Sequence, residues 1–275
     1  MNPKSIVLIA SILGFGLLEN LLPFFNYRRS LIARILPNVV LAIVNTLAAS
    51  VSITFLLQWV WQQTTITGLL SGINEQSPAI AALVTFVVLD FYIYWWHRLM
   101  HTSDLGWRFH RVHHTELEMN VSSAYRFHFL EVLVSNLPKL PLILLLGIAP
   151  RYFIAYDVVF TAIVCFHHSN WSLPKRIDHL LSYITVTPNF HRVHHSQIMA
   201  ETNSNYGSVF SWWDRLFGTF RQRQDPQGIK LGLVEFPQSL NPIELWALPF
   251  RPLRSLQSLQ SLQSLKSPES SETRA

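Results

Sequence analysis

Cys165 is the only cysteine in the 275-residue chain. A disulfide framework, a cysteine zinc site and an iron–sulfur cluster each need several cysteines and are excluded. Charge is also scarce. Charged residues make up 13% of the chain against about 25% in soluble domains, hydrophobic residues make up 49%, and the mean hydropathy is +0.24. These values describe a membrane protein. No GxGxxG is present, so a Rossmann-type nicotinamide or flavin domain is not expected, and there is no HExxH zinc-protease helix. The net charge of +5 does not point to nucleic acid, because the basic residues are scattered between apolar segments. Histidine is missing from both ends: all twelve lie between positions 97 and 195. Metal binding would therefore have to rest on histidine.

What is present begins with long apolar runs. Residues 5–25 (SIVLIASILGFGLLENLLPFF) and 38–61 (NVVLAIVNTLAASVSITFLLQWVW) each have about the 20 residues that span a bilayer as helix. The first has no small-residue cleavage site behind it, so it reads as a retained helix rather than a signal peptide; Glu19 and Asn20 within it should face protein or the interface. Pro37 is placed to open the second helix. A third span, about 79–96, ends in Trp95 and Trp96, residues that favour the membrane surface. Loop 62–78 has no Lys or Arg, whereas Arg28, Arg29 and Arg34 and then Arg98, Arg108, Arg111 and Arg126 flank the spans on the other side; the positive-inside rule makes that side cytoplasmic. A second apolar block, 129–166, is broken by Pro138, Pro141, Gly147 and Pro150. It reads as a hairpin turning near 147–151, either spanning fully or re-entering as a shallow pair.

The histidines come in spaced groups on either side of that block: His97 and His101; His110, His113 and His114; His191, His194 and His195, with the string HRVHH occurring twice. On a helix, positions i, i+3 and i+4 share a face, so each group presents its imidazoles in one direction. Thr187-Pro188 is a good helix start for the last group. Eight such side chains are too many for one metal ion and suit two, and imidazole alone does not choose among iron, zinc, copper and nickel. A ninth ligand is expected from His167-His168-Ser169-Asn170. Asp90 precedes His97 by seven residues and Asp157 precedes His168 by eleven, close to whole numbers of turns. Each carboxylate is thus a candidate for orienting an imidazole, or for a plain interhelical hydrogen bond. If both HRVHH boxes build one site, block 129–166 must return the chain to the side it left.

HxxxH, HxxHH, an HSN element and TP-x-x-HxxHH, followed by NYG and WDRLFGTF, together resemble the fatty acid hydroxylase and sterol desaturase superfamily of integral-membrane oxygenases across roughly residues 80–220. The resemblance implies a non-haem site with two iron ions (zinc is possible in isolated protein), O2 as co-substrate, and hydroxylation or desaturation of an unactivated C–H bond in a lipid such as a sterol, fatty acyl chain, ether lipid or carotenoid. It implies His97, His101, His110, His113, His114, His168, His191, His194 and His195 as ligands. His167 is an extra histidine beside the usual one. His128 lies where many members have RxHP, with Phe129 in place of the proline, and is placed beside the ligands or the substrate with Asp90, Asp157, His167 and Asn170. His179 reads as structural or interfacial.

The expected fold is all-α and integral to the membrane, with four to five transmembrane helices, the last pair a full or re-entrant hairpin, carrying a cytoplasmic helical cap with a histidine-rich dimetal site. The expected division is 1–78 for N-terminal membrane helices, 79–220 for the catalytic domain, 221–252 for a C-terminal extension, and 253–275 for a low-complexity tail with an LQS repeat. Segment 203–220 reads as an amphipathic lid or surface helix. Electrons would come from an external ferredoxin- or haem-type carrier with its reductase. The competing classes are a histidine-rich metal or haem binder without oxygenase activity, a zinc hydrolase, which needs about three protein ligands rather than nine, and a degenerate scaffold, which the intact boxes argue against.

Overall fold

The computed structural model describes residues 3–63 and 68–253; most of the LQS tail lies outside them. Among the described residues the chain is helical, with only isolated bridges, such as Thr185 to Phe210, in place of strands. Four stretches are long and apolar enough to cross a bilayer: Pro3–Leu21, Leu31–Gln62, Pro78–Thr102 and Phe129–Leu146. They correspond to helix α1 (Pro3–Leu21), α2 (Leu31–Gln63), α4 (Pro78–Thr102), and the pair α6 (Phe129–Asn136) and α7 (Lys139–Leu146). A short α3 (Ser71–Gln76) precedes α4, and α8 (Pro150–His168) completes the hairpin against α1.

The second span starts earlier than expected. Ser30 caps α2 through its side chain and carbonyl, so the helix opens at Leu31 and Pro37 lies inside it. A proline there leaves a carbonyl without its amide partner. Asn38, next in sequence, turns its amide back onto the Arg34 carbonyl and also binds Glu116 and Ser122.

The hairpin turns where the sequence placed it. Gly147 ends α7 in the left-handed region with φ 67°, a conformation that glycine adopts without steric cost. A Cβ at this position would lie 2.8 Å from the Gly68 Cα. The two glycines let the 68–76 segment cross the hairpin turn directly, and Leu69 and Leu70 donate their amides to Leu145 and Leu146 there. Val60, Leu70, Leu89, Ile143, Ile148 and Tyr156 form the core of the bundle.

The cap is built from short helices at the other end: α5 (Asp104–His114), α9 (Lys175–Leu181), α10 (Pro188–His194), α11 (Met199–Thr202), α12 (Trp212–Leu216) and α13 (Pro242–Ala247). Segment 203–220 is not one helix. Only Trp212–Leu216 is helical, because Asp214 draws the chain into a closed turn by accepting from the Tyr206 and Gly207 amides and the Thr219 hydroxyl. Residues 221–252 wrap the cap; Leu240, Leu245 and Leu248 pack on Leu41 and Val112.

Several arginines counted as loop charges in the sequence are internal tethers. Arg126 is buried and binds Asn38 and Thr115. The arginines of the two HRVHH strings point away from the imidazoles: Arg111 donates to the Leu248 and Arg251 carbonyls, and Arg192 to those of Ser169 and Trp171. One ties α5 to the C-terminal extension, and the other ties α10 to the HSN turn.

Candidate metal centre

Four elements meet at the site. α4 carries His97 and His101 in its last turns, and Ser103 alone separates it from α5, whose start it caps by accepting from the Gly106 amide. A Cβ at Gly106 would sit 2.7 Å from the Met100 Cα. Its absence lets α5 fold back on α4, so that His110 and His114 face His97 and His101. His168 ends α8. Thr187 caps α10 through its side chain, which brings in His191, His194 and His195 within two turns.

The nine boxed histidines fall into two groups. His97, His101, His110, His114 and His194 form one and His113, His168, His191 and His195 the other; within each group, one ring nitrogen per residue lies within 4.8 Å of all the others. Residues 110 and 194 thus share a group, so the hairpin does return the second HRVHH to the side of the first. All nine except the half-buried His97 are buried. Burial and the neighbouring imidazoles hold His113, His114, His191, His194 and His195 well below their ordinary value of 6.5. They are therefore neutral at physiological pH, the form that ligates metal.

The hydrogen bonds at Nδ1 fix where the lone pairs point. His97 Nδ1 donates to the Tyr206 carbonyl at 2.8 Å, His168 Nδ1 to Val164 at 2.8 Å, and His194 Nδ1 to Ser204 at 2.7 Å. His110 Nδ1 meets Glu131 Oε1 at 2.6 Å, and His101 Nδ1 meets Asn203 Oδ1 at 3.3 Å. A carbonyl can only accept, so in His97, His168 and His194 Nδ1 carries the proton and Nε2 is bare, and the Glu131 carboxylate sets the same tautomer in the neutral His110 ring. Yet His97 Nε2 stands 3.1 Å from His110 Nε2, and His168 Nε2 stands 3.1 Å from His113 Nε2 and 3.0 Å from His191 Nε2. The lone pairs of His97 and His110 repel at that distance unless a cation lies between them; His113 and His191 have no partner at Nδ1 to fix their tautomer. Ligands at right angles on a metal with bonds near 2.1 Å are about 3.0 Å apart, and tetrahedral ones about 3.4 Å; the spacing fits the former. His101 Nε2 and His194 Nε2, also buried, have no hydrogen-bond partner in the protein, as a donor set awaiting metal would have. The residues fit a pair of metal ions.

The other sequence candidates lie around this cluster. His167 is outside both groups, with its ring 4.1 Å from that of His191 and neither nitrogen partnered. His128 caps α6, accepting from the Leu130 amide, among Phe109 and Phe250. Asn170 holds the 22–25 segment, exchanging hydrogen bonds with the backbone of Phe25. Asp157 pairs with Lys4 at 2.8 Å. Asp90 directs its hydrogen bonds away from the histidines: it accepts from Tyr156, the Val209 and Phe210 amides, and Trp213 Nε1. Neither aspartate contacts an imidazole, because whole-turn spacing along one helix sets a shared face and leaves the partner to the neighbouring helices. His179 is exposed on the cap beside Tyr183.

Sequence reasoning missed Glu131, which lies beyond the boxes and is paired with His110 only by the return of α6. It also missed Phe127, which stacks on His113 at 4.3 Å, and Asn203, Ser204 and Tyr206, which support the histidines in part through backbone carbonyls. The one available signal was the NYG string at 205–207. Asn205 takes a positive φ of 55° and latches α10 to the following segment through the Phe190 and Arg221 carbonyls.

The fold and donor set define a helical integral-membrane protein with a buried cluster of histidines able to hold metal. More particularly, the chain belongs to the fatty acid hydroxylase family, whose sequence profile matches residues 82–219. It is 35% identical over 162 residues to an ornithine lipid hydroxylase from Rhizobium tropici, covering 58% of this chain and 48% of that protein. It is 31% identical over 162 residues to the human alkylglycerol monooxygenase, covering 58% and 34%. An Arabidopsis thaliana very-long-chain aldehyde decarbonylase is 28% identical over 154 residues, covering 53% and 24%. The chain thus spans half or less of the length of these relatives. No solved structure matches it significantly.

Proposed function

We propose that the protein is a membrane-bound non-haem diiron oxygenase that hydroxylates or desaturates an unactivated C–H bond of a lipid, using O2 and electrons from an external carrier, with its cap on the cytoplasmic side. The observation that carries this reading is the convergence of imidazole Nε2 atoms at 3.0–3.1 Å in two adjoining all-histidine groups. The family membership and the lipid-directed names of two relatives support the lipid.

His97, His101, His110, His114 and His194 would hold one ion and His113, His168, His191 and His195 the other. Iron there would supply O2 activation and two-electron oxidation of the lipid. The chain's own part is positional and electrostatic. The Tyr206, Val164 and Ser204 carbonyls and Glu131 keep Nδ1 protonated and aim Nε2 inward. Phe127 and Trp107 cover His113, His101 and His114 and exclude water from them. The catalytic unit is residues 79–220, with the helices of 1–78 before it and the 221–252 extension bracing α5 through Arg111.

Metal analysis of protein purified without added metal, with lipid mass spectrometry of cells expressing it, tests the reading. Two irons per chain and a lipid that gains one oxygen or loses two hydrogens are expected, both lost in His113→Ala. A single zinc, a haem spectrum, or lipid oxidation that survives His113→Ala overturns it.

A further inference from the structure

The cap carries an apolar ridge that the histidine cluster does not use. On α9 and the turn after it, Ile177, Leu180, Leu181 and Ile184 recur at helical spacing and are 48%, 66%, 37% and 60% exposed. Trp212 and Leu216, four apart on α12, continue the ridge and are also exposed; the Ser211 amide binds the Ile184 carbonyl and joins the two parts. The opposite stripe of α9, with Lys175, Asp178, His179 and Ser182, lines an open cavity of about 140 Å³ together with Phe190, Phe220, Arg221 and Arg223. Lys175, Arg221 and Arg223 stand there against Asp178 and the Glu201 that pairs with Arg223, which leaves one net positive charge.

Depth identifies the occupant. The segment leading into α12 hangs on Asp90 through the Val209 and Phe210 amides and the Trp213 indole. Asp90 is twelve residues from either end of α4, about 18 Å from each at 1.5 Å per residue, so the contact is at the middle of a membrane-crossing helix. Val209 belongs to the same apolar cluster as Leu89, Ile143 and Tyr156 of the bundle. A segment anchored at that level sits beside hydrocarbon, and exposed apolar groups next to it avoid water only if lipid covers them. An apolar face with cationic groups on its polar side is also the pattern of a helix lying in the membrane interface.

We propose that the ridge formed by α9, Ile184 and α12 is a lipid-contact surface, embedded in the leaflet nearest the histidine site, and that the cavity behind α9, with its net positive charge, takes the head group of an anionic phospholipid. The cap is then seated sideways in the membrane rather than standing clear of it. This follows from packing alone and does not depend on the metal chemistry.

Nitroxide labels at Leu180→Cys, Ile184→Cys and Leu216→Cys, with Gln222→Cys as the polar control, test the ridge in full-length protein in lipid nanodiscs; the unsubstituted chain, whose Cys165 is buried, is the blank. The ridge labels should be relaxed more by O2, which concentrates among acyl chains, than by a water-soluble nickel chelate, with the opposite order at Gln222. Nickel access at the ridge equal to that at Gln222 overturns the proposal, as does shielding from both reagents, which would mean a protein cover such as a second copy. For the cavity, Lys175→Glu with Arg221→Glu should reduce severalfold the phosphatidylglycerol retained over phosphatidylcholine in native mass spectrometry. Unchanged retention overturns the head-group assignment.

Discussion

Replacing Glu131 by glutamine removes a charge while keeping the shape of the side chain that holds His110. The Glu131–His110 contact is 2.6 Å long, with side chains only 5% and 4% exposed, so solvent screens it little. A charge-assisted hydrogen bond in such a setting contributes about 1.5–3 kcal/mol. Glutamine can still accept from Nδ1, so the ring orientation should survive and the electrostatic part be lost. At about 1.4 kcal/mol per factor of ten, the expected effect is a 10- to 100-fold loss of metal affinity at the group containing His110, within the range seen for carboxylates behind metal-bound imidazoles. Chelator competition followed by elemental analysis reads this directly, and the melting temperature of the metal-free protein reports separately on folding. Metal retention equal to that of the unsubstituted protein in both Glu131→Gln and Glu131→Ala would refute the reasoning, because the carboxylate would then be a packing group only.

Asp90→Asn should destabilise the chain by about 3 kcal/mol, since its NH2 replaces one accepting oxygen and sets donor against donor, facing either the Phe210 amide and Trp213 indole or the Val209 amide and Tyr156 hydroxyl; a shift in thermal unfolding below about 1 kcal/mol contradicts the clamp. Gly147→Ala should cost more than the roughly 1–2 kcal/mol of placing a side chain in the left-handed region, because φ is 67° and the new Cβ would also meet the Gly68 backbone at 2.8 Å; a small loss on denaturation would show that the crossing can shift. The pH dependence of the metal-free protein follows from its histidines. Burial depresses His113, His114, His191, His194 and His195 below 6.5, so below that pH the unfolded chain takes up protons that the folded chain does not. Stability should therefore be full above about pH 6.5 and fall steadily as the pH drops below it. A melting temperature that is flat across that value would mean that the cluster charges without resistance.

Much of this molecule was legible because its signals are local. Apolar runs longer than a bilayer needs announce helices, and the i, i+3, i+4 spacing of His110, His113 and His114 sets their common face whatever surrounds them. Thr187-Pro188 likewise fixes the start of α10 by its own backbone chemistry. Even the hairpin of 129–166 followed from requiring two histidine boxes to meet. What the sequence alone could not determine is which groups meet across elements. Asp90 and Asp157 have helical phases that lead toward histidines, yet one holds the 209–213 segment and the other pairs with Lys4. Glu131 shows no pattern at all and still supports His110. Arg111 of the first HRVHH, counted among the loop charges, turned out to be a buried tether, as is Arg192 of the second. Periodicity decides the direction of a side chain on its own helix. Partner, depth and the division of nine imidazoles into two groups depend on how the helices pack, and only the tertiary structure decides that.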